Sequence, residues 1–214
     1  SDLLAGRGTE VTVIPFGIDP DPWKTVAPGG EGPFLFVGRL VPYKGISILL
    51  EALAQTPGAE LVVVGEGPQR RELEDRAARP DLAGRVRFAG ELSRAELAGE
   101  MAGVTALVLP SLDRSETFGL VQLEAMAAGL PVIVTDPGTG VAEVGEDGRT
   151  CLVVRPGDAS ALAGALHALA SDRGRARAMG GAGRELFHER FTRSAMIDNL
   201  LAWYGRILRH EVPA

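Results

Sequence analysis

The chain has 214 residues, 45% of them hydrophobic and 23% charged, with 22 basic against 28 acidic side chains for a net charge of −6 at pH 7. These are the values of a globular domain large enough to bury a core, and the acid excess argues against nonspecific nucleic-acid binding, which leans on basic surface. One cysteine, Cys151, excludes an internal disulfide and a cysteine-rich metal site. No run approaches the ~18 apolar residues of a membrane span and no signal peptide is evident, so the cytoplasm is the expected compartment.

Strands and helices are expected to alternate along the chain. Residues 11–15 read as a first strand, followed by a loop around Asp19-Pro20-Asp21 and another over 28–33. The apolar run 34–37 reads as a strand that ends in a turn at Gly38. The segment Gly38-Arg39-Leu40-Val41-Pro42-Tyr43-Lys44-Gly45 then leads into a helix over 45–55, marked by Ile46, Leu49, Leu50 and Leu53. Arg39 and Lys44 would sit at the carboxyl end of a strand, where open parallel sheets bind ligands. The chain has 20 Arg and only two Lys, Lys24 and Lys44. A lysine kept at this turn is informative, because a compact ammonium serves a phosphate where a planar fork fits poorly. The bland alternative is an ordinary pair of surface cations.

A strand over 61–64 runs into Gly65-Glu66-Gly67, and Pro68 opens a helix over 68–79, where its missing amide costs nothing. A strand over 86–89 leads to Gly90-Glu91-Leu92. Ser93 and Glu96 have capping-box spacing at the start of a helix over 94–102. The strand 106–109 is closed by Pro110. A loop over 111–117 follows, then a helix over 118–128 that Gly129 and Pro131 stop. Glu116 therefore precedes this helix, and Glu124 lies about two turns inside it. The amides of Phe118, Gly119 and Leu120 would lack helical acceptors and suit an anion, with Gly119 allowing close approach beside Thr117. Two carboxylates flanking an anion site make sense as acceptors for hydroxyl groups. For either glutamate alone, helix-dipole complement or solvated surface is the simpler reading. Strands over 132–135 and 152–154 and helices over 159–170, 173–189 and 194–208 complete the pattern. The fold class is α/β, a Rossmann-like parallel sheet with helices on both faces and a closing C-terminal helix. The 28 glycines, roughly twice the usual share, fit many tight strand-to-helix turns.

The pieces Gly38-Arg39-Leu40…Lys44-Gly45, Val64-Gly65-Glu66-Gly67-Pro68 and Glu116-Thr117-Phe118-Gly119-Leu120…Glu124-Ala125 resemble the carboxyl-terminal half of retaining glycosyltransferases of the GT-B fold, family 4 (group 1). The resemblance runs from about Val13 to the C-terminus, and the glutamate pair with Phe-Gly between is its specific part. It implies that Arg39 and Lys44 meet the donor diphosphate and that Glu124 accepts from the ribose. Glu116 would hold the transferred sugar, with Thr117, Phe118, Gly119 and Leu120 beside it. Gly38, Gly65, Gly67, Gly90 and Leu92 would line the nucleotide. The catalytic set would be Arg39, Lys44 and Glu116. The donor would be a UDP-, GDP- or ADP-sugar, with no metal and no cofactor.

Residues 1–190 would form the donor-binding domain. Residues 191–214 would form a helix that in the family packs toward an amino-terminal domain. That domain, in cis or in trans, is the expected partner, and the isolated chain would bind donor and transfer nothing. The apolar stripe Phe191, Met196, Ile197, Leu200, Leu201, Tyr204 and Leu208 would either pack on its own sheet or wait for that partner. Peripheral membrane association of the full enzyme stays open.

Other readings carry less. Asp19-x-Asp21, a metal-binding pattern in another glycosyltransferase fold, sits here between prolines. Gly65-x-Gly67 is followed by Arg70 where a dinucleotide fingerprint wants a third glycine. The histidines His167, His188 and His210 lie far from the glutamates, and no nucleophile-elbow motif is present. A phosphorylase would need a pyridoxal-binding lysine beyond Lys24 and Lys44. A nucleotide-sugar 2-epimerase-like half and a non-catalytic module remain as alternatives. Gly138-Thr139-Gly140 stands where many family members have Gly-Gly, and Cys151 stands where a turn glycine is common. Cys151 otherwise reads as a small buried hydrophobe.

Overall fold

The structure is a computed structural model and describes residues 11–24, 26 and 32–209. The first residues of the chain, most of the loop expected over 28–33, and His210 lie outside the described residues.

Six strands form one parallel sheet among the described residues: β1 (Phe34–Val37), β2 (Leu61–Val64), β3 (Val86–Gly90), β4 (Ala106–Leu109), β5 (Val132–Thr135) and β6 (Cys151–Val154), in the order β3-β2-β1-β4-β5-β6. The helices are α1 (Ile46–Ala54), α2 (Arg70–Ala77), α3 (Arg94–Met101), α4 (Leu120–Ala128), α5 (Ala159–Ser171), α6 (Arg173–Arg190) and α7 (Arg193–Leu208). Strand residues alternate between two cores. Leu35, Val62, Val64, Leu107, Leu109, Val132 and Val134 face α3, α4 and the end of α6. Phe34, Phe36, Leu61, Val63, Ala106, Val108 and Ile133 face α1, α2 and α5. Both faces are covered, which is why the central strands are apolar throughout.

The sheet order reverses between β1 and β4. Connections leave these two neighbours in opposite directions, so their carboxyl ends open a crevice, the usual ligand position of an open α/β sheet. Both sequence clusters hang from that edge.

The structure corrects three expectations. Residues 11–15 form no strand: Val11 and Val13 are 40% and 72% exposed, and the segment's anchor is at Gly17 and Ile18. There the Ile18 amide donates to the Phe191 carbonyl at 3.0 Å, and the Arg193 amide donates to the Ile18 carbonyl at 2.9 Å. Alternating Val-Thr-Val-Ile has strand character, but no sheet edge takes it up. The helix expected from residue 118 begins at Leu120, because Gly119 adopts φ +70° at its N-cap and breaks the helical path. The helix expected from Gly45 begins at Ile46, behind a 3-10 turn over Pro42–Lys44.

Two smaller expectations hold. The Ser93 hydroxyl accepts from the Glu96 amide at 3.4 Å, and the Glu96 carboxylate accepts from the Ser93 amide at 2.8 Å, forming the capping box. Cys151 is buried, and burial pushes its thiol up to about 11. Helix α7 buries none of its residues: Ile197, Leu200, Leu201, Tyr204 and Leu208 are all exposed, while Phe191 before it is buried. Apart from Phe191, then, the stripe does not pack on its own sheet.

Candidate active site

The loop after β1 and the loop after β4 are pressed together. Gly45 adopts φ +70°, and a Cβ there would stand 2.0 Å from the Pro110 carbonyl oxygen. Two residues away in each loop, the Leu112 amide donates to the Tyr43 carbonyl at 2.7 Å. Only a glycine permits this approach. The seam brings Lys44 to Glu116 across 72 positions of sequence.

The Lys44 ammonium donates to Glu116 Oε2 at 2.5 Å, with side chains 13% and 10% exposed. Ser111 Oγ donates to the same carboxylate oxygen at 3.1 Å. The Thr135 hydroxyl, at the end of β5, donates to the Ser111 carbonyl at 2.5 Å. Thr139 Oγ1 donates to the Glu116 main-chain carbonyl at 2.7 Å. A buried carboxylate with one cation and one hydroxyl is held in place, and it keeps lone pairs for a ligand's hydroxyls. Gly38 lies beside the ammonium: a Cβ there would make ordinary contact with Lys44 Nζ at 3.6 Å. Arg39 shares the loop, is exposed, and takes part in no ion pair among the described residues.

On the other side of β1, a Cβ at Gly65 would meet the Gly38 carbonyl at 2.0 Å, and one at Gly67 would meet the Leu40 carbonyl at 2.5 Å. The Leu40 amide donates to the Glu66 carbonyl at 2.9 Å. The end of β2 is thus stitched to the loop that carries Arg39. Gly90 ends β3 beside Glu66 and Arg70, and the Arg70 guanidinium pairs with Glu66 and donates to Glu74 at 2.7 Å. Leu92 is half-buried against the core of α3 and α4.

At the start of α4, the amides of Phe118, Gly119 and Leu120 have no backbone acceptor among the described residues, and the Gln122 amide bonds the Gly119 carbonyl at 2.9 Å. Phe118 and Gly119 thus precede the helix, while their amides stay open as expected. Thr117 and Leu120 are exposed. Glu124 lies about one turn into α4 and is half-buried. Burial raises its carboxyl above the ordinary value, and the positive charge of Arg94 partly opposes this.

Three features are set apart from the site. Asp19 accepts from the Asp21 amide at 3.0 Å and pairs with Arg193 at 3.4 Å, while Asp21 pairs with Lys24, so both carboxylates already have partners. His167 and His188 are exposed on α5 and α6. Among the described residues, no group of three or more His, Cys, Asp or Glu is arranged to hold a metal.

Sequence reading missed the hydroxyls of Ser111, Thr135 and Thr139 and the amide of Gln122 as parts of this site. Their signal is position close behind an apolar strand or turn at the carboxyl edge; for Thr139 the Gly138-Thr139-Gly140 segment also stands out, though not its hydroxyl.

Close backbone contacts at glycines, a buried cation–carboxylate pair and open amides meet at the switch point of this Rossmann-like sheet, where open α/β sheets bind ligands. The chain belongs to the glycosyl transferases group 1 family, whose match covers residues 18–186. It is 37% identical over 177 residues to the glycogen synthase of Mycobacterium tuberculosis, covering 79% of this chain and 42% of that protein. It is 35% identical to the GDP-mannose-dependent alpha-(1-6)-phosphatidylinositol monomannoside mannosyltransferase of the same organism, over 84% of this chain and 52% of that one. The structure of Anabaena Alr3699/HepE in complex with UDP superposes with a TM-score of 0.82 at 25% identity, covering 91% of this chain and 57% of that one. The chain therefore spans about half the length of these relatives, and it has the carboxyl-terminal Rossmann-like fold of a GT-B glycosyltransferase.

Proposed function

We propose that this chain is the donor-binding half of a retaining hexosyltransferase of family 4, taking an NDP-sugar and passing the hexose, such as mannose or glucose, to a glycan or lipid-linked acceptor. The buried Lys44–Glu116 pair at the joined ends of β1 and β4 carries this reading. It puts one cation and one hydroxyl acceptor at adjacent points, as a phosphate-linked sugar requires. Lys44 and Arg39 take the diphosphate, and Glu124 accepts from the ribose hydroxyls. Gly38, Gly65, Gly67, Gly90 and Leu92 line the nucleotide. Glu116, with the amides at Phe118–Leu120, meets the sugar.

In the transfer, negative charge grows on the departing diphosphate while the sugar carbon becomes oxocarbenium-like. Arg39, Lys44 and the open amides oppose the first charge from fixed positions, which is electrostatic preorganisation. Because these groups supply the counter-charge, the reading assigns no metal and no cofactor. In this structure Glu116 pairs with Lys44. Donor binding turns the ammonium toward phosphate and frees the carboxylate for the sugar.

The acceptor side belongs to an amino-terminal domain of the same GT-B plan. The exposed apolar face of α7 supports this, since Leu200, Leu201 and Tyr204 lie open on a helix whose start is held by α6 and by Gly17 and Ile18. No described helix is long and apolar enough to cross a membrane, and we place the enzyme in the cytoplasm.

Calorimetry of the chain with UDP-glucose, GDP-mannose and ADP-glucose tests the donor assignment. Binding of at least one, weakened by Lys44→Ala, is expected; no binding of any overturns it. Incubation with donor alone should give neither transfer nor epimerised sugar. Epimerised product would favour the epimerase reading.

A further inference from the structure

The loop after β5 grips the loop that carries Glu116 at three points. Thr139 Oγ1 donates to the Glu116 carbonyl at 2.7 Å. Gly140 packs so closely that a Cβ there would stand 3.3 Å from the Thr117 carbonyl oxygen and 3.5 Å from the Phe118 ring. The buried Gln122 side-chain Nε2 donates to the Phe118 carbonyl at 2.6 Å and to the Val141 carbonyl at 3.3 Å, joining both loops to α4. The β5 loop is itself braced, because Asp136 Oδ1 accepts from the Gly138 amide at 2.9 Å. Glu116 is otherwise held in its own loop by local turns, its amide reaching the Asp113 carbonyl at 3.2 Å.

Both ends of Glu116 are thus referenced to β5. Its carboxylate is reached through Thr135 and Ser111, and its main chain through Thr139. Ser111 and Thr135 are buried at 0% and 2% exposure, so they also serve the core. Thr139 is half-buried on a loop tip and has no core to support.

We infer that Thr139 is a positioning residue that sets where the Glu116 carboxylate stands and thereby how much the attached sugar adds to donor binding. The inference rests on the donor reading above and adds the control of its sugar arm. Losing the hydroxyl releases the Glu116 carbonyl to water and lets the segment drift. A shift of about 1 Å at a recognition group changes binding or rate by up to about a hundredfold.

The test compares wild type, Thr139→Val, Thr139→Ser and Glu116→Gln by calorimetry, with UDP-glucose, GDP-mannose and ADP-glucose against UDP, GDP and ADP. Valine keeps the shape and removes the hydroxyl; serine keeps the hydroxyl. Thr139→Val should weaken the bound NDP-sugar about fivefold to tenfold while leaving the bare nucleotide within about twofold. Thr139→Ser should restore the sugar increment, which a merely structural role would not do. A thermal melt with bare-nucleotide affinity shows whether each variant is folded, and Thr139→Ala stands in if the valine is not.

If Glu116→Gln abolishes the sugar increment and Thr139→Val keeps it, the inference falls and the donor reading stands. Equal loss of sugar and bare nucleotide in Thr139→Val also overturns it. If wild type binds none of the six ligands, or Glu116→Gln leaves the sugar increment intact, the reading fails and takes the inference with it.

Discussion

The two rims of the sheet use glycine for opposite reasons. At the carboxyl rim, Gly45, Gly65 and Gly67 are pressed against neighbouring carbonyls at distances no Cβ tolerates. At the amino rim, Gly58 and Gly84, in the α1–β2 and α2–β3 turns, have equally left-handed φ of +77° and +78°, yet a Cβ at either would meet nothing within 4 Å. One set lets backbones touch; the other only lets the chain turn. Gly45 closes the seam that joins Lys44 to Glu116, and Gly65 and Gly67 stitch the end of β2 to the loop that carries Arg39, so the site is built into the main chain before any side chain acts.

Alanine scanning separates the two uses. Gly45→Ala should cost about 4 kcal/mol, from a left-handed conformation at about 1–2 plus overpacking against Pro110 at about 1–3. It should abolish nucleotide binding even where the fold survives. Gly58→Ala should cost only about 1 kcal/mol, since the backbone term is partly offset by a stiffer unfolded chain, and should leave binding untouched. Denaturant melts with parallel nucleotide titration measure both. Equal losses at the two positions would erase the distinction.

The next largest effect concerns what the seam holds. Lys44→Ala leaves Glu116 buried with Ser111 as its sole side-chain partner, which should destabilise the empty chain by about 3 kcal/mol and lower its melting temperature by roughly 5–10 °C. Nucleoside-diphosphate affinity should fall more than about tenfold. A variant melting like wild type would mean that the pair is not intact in solution.

Glu116→Gln should act in the other direction on the bare nucleotide. It frees the ammonium from its internal partner, so diphosphate affinity should rise about threefold while the gain from the attached sugar disappears. An unchanged bare-nucleotide affinity would show that Lys44 serves phosphate and Glu116 at once.

The sheet was legible because its strands are short apolar runs with turn residues at each end, and because period-two alternation serves two covered faces. Residues 11–15 carried the same signal and misled, since a strand needs a partner edge that local sequence does not encode. Phe118 counted as helical because it is apolar and in phase. It instead packs edge-on against Phe16 with ring centroids 5.4 Å apart, and Gly119 turns the chain after it. For the site, the residue types Lys44, Glu116 and Glu124 and their loops were readable. The direct Lys44–Glu116 bond was not, because it depends on Gly45 meeting Pro110 across the fold. The hydroxyls of Ser111, Thr135 and Thr139 were invisible for the same reason: short polar residues behind a strand look like any loop until their partners are placed.

The smallest expected effect lies at Glu124, the acid inside α4, and it sharpens the contrast between a paired and an unpaired buried carboxylate. Glu116 has a cation at contact; Glu124 has only the more distant charge of Arg94, and burial raises its carboxyl above the ordinary value of 4.5. A carboxyl raised in the folded state favours folding most when protonated. Its contribution is complete below the unfolded value and is lost as pH rises through the folded one. At neutral pH the empty chain therefore carries an ionised, partly desolvated group that a ribose hydroxyl would satisfy. Glu124→Gln should raise the stability of the ligand-free chain by less than about 1 kcal/mol at pH 7 and remove a small decline in stability just above pH 4.5. The same change should weaken nucleotide binding, because the amide accepts less strongly than the carboxylate. Chemical denaturation between pH 4 and 8, with and without nucleotide, reads both signs. A variant less stable than wild type at pH 7 without ligand would mean that Glu124 is already satisfied within the fold, and its place in the donor site would have to be given up.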